Sequence, residues 1–79
     1  MIALDLDGVL AQYDGWKGEG VIGEPMPGAV EFAQTLEETA PGQVVVFTTR
    51  QDHLLVHEWL MRHGFPAWPI TAMKSPRMH

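Results

Sequence analysis

Apolar and polar positions alternate between two periods along this chain. Residues 1–6 form a short apolar run, "MIALDL", closed by Asp7-Gly8, which predicts a buried strand ending in a tight turn. Residues 9–25 carry no period. Glycines recur there, and Tyr13, Trp16, Val21 and Ile22 are scattered among them, which predicts a small flap or hairpin. From 28 to 40 the spacing becomes helical. Ala29, Phe32, Ala33, Leu36 and Ala40 form one stripe, Pro27 suits the first turn, and Pro41-Gly42 ends the helix. Residues 43–48, "QVVVFT", are β-branched without alternation, a pattern that fits a parallel strand covered on both faces. Asp52 suits the N-cap of a second helix over 53–63 with Leu55, Val56, Trp59 and Leu60 inward, and Gly64 suits its end. A third strand is expected over 67–71.

Strands separated by helices imply parallel pairing with right-handed crossovers. The expected fold is therefore α/β: a Rossmann-like, three-layer parallel sheet of about three strands, with two helices and a short flap. Ligands of such sheets bind beyond the carboxyl ends of the strands. Asp5 and Asp7 fall there after the first strand, Thr48 and Thr49 after the second, and Lys74 after the third.

With 79 residues, one domain is expected. The absence of cysteine removes disulfides and thiolate metal sites. The formal net charge is −5 with five Lys and Arg in all, so a nucleic-acid partner is not expected. No apolar run nears the roughly 20 residues of a membrane span, and no basic stretch precedes an apolar one at the start. A cytoplasmic protein without a membrane partner is expected. His53 and His57 have helical metal spacing, but no third ligand accompanies them.

Two carboxylates two residues apart at a strand end repel each other unless a cation intervenes, and Mg²⁺ suits oxygen ligands shared with a phosphate. One carboxylate could attack phosphorus while the other handles the protons of leaving group and water. A hydroxyl and an ammonium could hold the remaining phosphoryl oxygens.

These residues resemble the motifs of the haloacid dehalogenase (HAD) superfamily. "ALDLDGVL" is similar to its first motif, "VVVFTTR" to its second and "ITAMKSP" to its third, in the same order and over nearly the whole chain. The resemblance implies a Mg²⁺-dependent phosphomonoester hydrolase working through an aspartyl-phosphate. Asp5 would be nucleophile and metal ligand. Asp7 would be acid/base, with its backbone carbonyl on the metal. Thr48 would bind phosphate, with Thr49, Gly8 and Arg50 as further candidates, and Lys74 would stabilise nucleophile and phosphate together. Arg50 could equally pair with Asp52 or Glu58. The span between the first two motifs has no room for a sizeable cap, which implies an open site suited to larger or protruding phosphoesters or to a lid supplied by a partner; the expected partner is a small phosphorylated substrate.

The family also carries a fourth, acidic motif on a further strand, whereas no Asp or Glu follows Lys74 here. The expectation is a truncated HAD-like domain, or one completed by a partner chain. Its first strand would be an open edge that favours a homodimer through residues 1–6. The alternative function is a non-catalytic HAD-like fragment that binds phosphate or oligomerises through that edge. A receiver-like signalling domain fits less well, because its phosphoacceptor Asp ends a later strand where this chain has Thr48.

Overall fold

A computed structural model describes residues 1–18 and 20–72. The apolar runs become three strands, β1 (Ile2–Asp5), β2 (Val44–Thr48) and β3 (Ile70–Ala72), and the helical stripes become α1 (Ala29–Thr39) and α2 (His53–Arg62). All pairing in the sheet is parallel, in the order β1-β2-β3, an arrangement compatible with a Rossmann-like fold. Ile2 lies opposite Val44 and Asp5 opposite Phe47, so β1 and β2 end side by side. β3 begins later than residue 67. Pro66 and Pro69 lack N–H donors, and the Pro69 carbonyl instead receives the Val46 N–H at 2.8 Å.

The helix ends follow from local chemistry. The Asp52 side chain accepts the Leu55 N–H at 3.1 Å and caps α2. At its other end Gly64 takes φ 86, Gly64 N–H reaches the Met61 carbonyl and Phe65 N–H reaches the Leu60 carbonyl, a Schellman closure. α1 starts differently from expectation. Gly28, at φ 79, is the N-cap without a side-chain bond, so Pro27 lies ahead of the helix instead of in its first turn. Phe32 also departs from the expected inner stripe. Ala29 and Ala33 are buried and Val30 and Leu36 pack beside them, which centres the stripe about 100° away from Phe32 on the helical wheel and leaves Phe32 exposed.

The layering is corrected as well. The core takes Ile2, Leu4, Leu6, Val44, Val46 and Ile70 from one side of the sheet and packs them with Val56, Trp59, Leu60, Phe65 and Trp68. The other side carries Ala3, Asp5, Val45, Phe47 and Thr71, none of which joins that core. Two successive crossovers that step the same way across a sheet, with the same hand, place both helices on one face. Among the described residues the unit therefore has two layers where three were expected. Val45 on that side is nevertheless buried. No helix among the described residues is long and apolar enough to cross a membrane.

The buried tryptophans tie the loops to this core. Trp59 Nε1 donates to the Gly23 carbonyl at 3.1 Å, fixing the base of the flap. Trp68 Nε1 donates to Glu37 Oε1 at 2.7 Å, fixing the approach to β3 against α1. Each indole satisfies its N–H while its ring fills the core.

Candidate functional site

The chain turns sharply after β1. Leu6 is fully buried, its N–H continues the sheet to the Phe47 carbonyl, and its own carbonyl receives the N–H groups of Leu10 and Ala11. Gly8 makes the turn possible at φ 89, a conformation that other residues rarely take. Its N–H donates to the Ala11 carbonyl at 2.7 Å. The legs of the flap then pair antiparallel: Met26 N–H meets the Leu10 carbonyl, Gln12 N–H meets the Glu24 carbonyl, and Gln12 Nε2 reaches the Pro25 carbonyl. Gly23 packs so close to the Gln12 carbonyl that a Cβ there would collide with it.

Between the flap and the strand ends lies a cavity of about 250 Å³ lined by Asp5, Leu6, Asp7, Tyr13, Trp16, Phe47, Thr48 and Thr49. The structure thus brings together four of the residues singled out in the sequence, Asp5, Asp7, Thr48 and Thr49. Lys74 lies outside the described residues. Gly8 is not part of the lining, and its N–H is engaged in the turn that it shapes.

The two carboxylates have different surroundings. Asp5, at the end of β1, is exposed at the cavity, and its carboxylate has no hydrogen-bond or ion-pair partner among the described residues. The Asp7 carboxylate is gripped at both oxygens by Arg50, Nε to Oδ2 at 3.0 Å and Nη2 to Oδ1 at 2.9 Å. Such a planar fork holds a carboxylate in one orientation and leaves each oxygen a further lone pair.

Arg50, a candidate for phosphate or for a carboxylate partner, pairs with the Asp7 carboxylate. Its side chain is 2% exposed and does not line the main cavity; it borders a smaller one of about 100 Å³ beneath the flap. Besides Asp7, the guanidinium donates from Nη1 to the Gly18 carbonyl at 3.2 Å and from Nη2 to the Val21 carbonyl at 2.9 Å. It also lies 4.9 Å from the centroid of the Trp16 ring. One buried cation thereby joins the Asp7 carboxylate to the crest of the flap. The parallel register ends β1 and β2 side by side, and the turns beyond them bring Asp7 and Arg50 into contact.

Thr48 is buried, and its Oγ1 accepts the Arg50 N–H at 3.0 Å, which aims the hydroxyl while leaving its proton free to donate. Thr49 is exposed at the cavity. The Asp5 carboxylate on the cavity is a hard oxygen donor of the kind that Mg²⁺ takes while keeping several waters. No group of three His, Cys, Asp or Glu side chains converges among the described residues. The donor set therefore fits a hydrated, loosely held Mg²⁺ and not a closed metal centre. His53 and His57 are half-buried on α2 and belong to no such group.

No family model, no curated protein and no solved structure matches this chain.

Proposed function

We propose that the chain is a phosphomonoester hydrolase of the HAD type, Mg²⁺-dependent and acting through an aspartyl-phosphate on Asp5. The observation that carries this reading is the asymmetry of the two carboxylates, one open on the cavity and one clamped by Arg50. A carboxylate that faces a cavity, with no partner among the described residues, is well placed for attack. In the first step a carboxylate oxygen of Asp5 forms a bond to phosphorus and the ester P–O bond breaks. The departing alkoxide takes up a proton that Asp7 relays from solvent water, through a lone pair left outside the Arg50 fork. In the second step water attacks the same phosphorus, its proton passes to Asp7, and inorganic phosphate leaves with the Asp5 carboxylate restored.

Thr48 and Thr49 donate hydroxyls to the non-reacting phosphoryl oxygens. Lys74, by the order of the motifs, adds positive charge beside nucleophile and phosphate. When bound, Mg²⁺ neutralises the repulsion between the Asp5 carboxylate and the phosphate dianion; it would be held by that carboxylate and the Asp7 carbonyl. The expected result is slow release of phosphate from p-nitrophenyl phosphate with Mg²⁺ present, abolished by a chelator and restored by excess Mg²⁺. Turnover that persists in the chelator removes the metal from the reading, and no turnover at any Mg²⁺ concentration removes the hydrolase.

One observation favours a second reading, association through the sheet. β1 has a strand neighbour on one side only among the described residues, and Ala3 stands exposed on the side away from the core. Paired edges satisfy main-chain donors and acceptors, so a homodimer through residues 1–6 is the natural arrangement. Light scattering is expected to return a dimer mass at high micromolar concentration. A clean monomer mass there would remove this reading.

A further inference from the structure

The flap presents two large aromatic side chains to the cavity instead of burying them. Trp16 is 56% exposed and Tyr13 51% exposed, yet both line the same cavity as Asp5, Asp7, Thr48 and Thr49. A ring that served only to anchor the flap would be covered, as Trp59 and Trp68 are at 3% and 4%. Trp16 is nonetheless held in place. Its ring rests against the Arg50 guanidinium, which is itself fixed by the Asp7 carboxylate and two flap carbonyls. The cation supports the ring while more than half of the side chain stays open. The result is a preorganised aromatic platform beside a floor of carboxylates and hydroxyls.

We propose that this site takes phosphomonoesters whose leaving group carries a planar aromatic ring, as in a nucleoside 5′-monophosphate. The phosphate lies at Asp5 and the threonines while the ring stacks on Trp16, bordered by Tyr13. Stacking suits a planar base better than an alkyl chain, because both partners offer flat polarisable faces. This substrate class rests on the hydrolase reading above. It adds that the flap, and not the strand ends, selects the substrate.

The test compares adenosine 5′-monophosphate with ribose 5-phosphate, which share the reacting ester and differ in the base. Binding is measured by calorimetry and turnover by phosphate release, both with Mg²⁺ present. The expected result is roughly tenfold tighter binding of the nucleotide, as one base–aromatic stack supplies, with a similar advantage in kcat/KM. Trp16→Leu is expected to bring the ratio between the two substrates close to one, and Trp16→Phe to retain most of it. Equal binding of the two by the unaltered protein, binding of neither, or a ratio that survives Trp16→Leu would overturn the proposal. A nucleotide preference in binding without turnover of either substrate would refute the hydrolase and uphold the stacking platform. Turnover without a preference would do the reverse.

Discussion

Asp5→Asn is expected to lower phosphate release by roughly 10⁴-fold or more, the scale of loss when a covalent nucleophile is removed. The amide has nearly the shape of the carboxylate but is far too weak a nucleophile to attack phosphorus. The fold should not notice the change. Asp5 is exposed, and its carboxylate has no partner among the described residues, so no ion pair among them is lost. Substitutions of that kind usually alter stability by within about 0.5 kcal/mol. Asp7→Asn is the informative contrast, because it removes one side of the bidentate pair with Arg50 and should lower activity and stability together. Phosphate release and urea unfolding measured on the same preparations separate the two cases. An Asp5→Asn protein that keeps most of its activity would move the nucleophile elsewhere.

The same division separates what could be read from the sequence from what could not. The strands and helices were legible because their signals are local: the β-branched run at β2, the Asp52 cap and Gly64 closure of α2, the glycine turn after β1. The carboxylates and Thr48 were legible because their spacing from a strand end fixes where they emerge. The layering was not. An apolar run such as Val44–Phe47 reads alike whether helices cover both faces or the strand is merely central, and only the strand order β1-β2-β3 decides between them. The exposure of Phe32 depends on which of two neighbouring helical stripes faces the sheet, which sequence spacing leaves open. Arg50 is visible as a candidate but its partner is not, since Asp7 is 43 residues away and the carboxylates nearer in sequence, Asp52 and Glu58, fit it equally well by spacing. Resolving that choice required the register between β1 and β2.

Arg50 is also where a single change should do the most structural damage. Arg50→Ala deletes both bonds to Asp7, the bonds to the Gly18 and Val21 carbonyls and the support under Trp16. It leaves behind a carboxylate only 19% exposed that has lost its countercharge. Breaking a buried pair by removing one partner costs about 3–5 kcal/mol, and the partial exposure of Asp7 places this case near the lower end. A domain of this length has a total stability of only about 4–12 kcal/mol, so a loss of about 3 kcal/mol takes much of it. The damage should start in the flap, whose crest is latched to the sheet by this guanidinium while its legs keep their own backbone pairing. Limited proteolysis is therefore expected to cut within residues 13–22 of Arg50→Ala before the rest of the chain. Arg50→Lys should fall between, since an ammonium keeps the charge but cannot fork to both oxygens and two carbonyls at once. Urea unfolding of the three proteins tests the order. If Arg50→Ala came within about 1 kcal/mol of the unaltered chain, the size of an ordinary surface ion pair, the guanidinium would not be the latch described here.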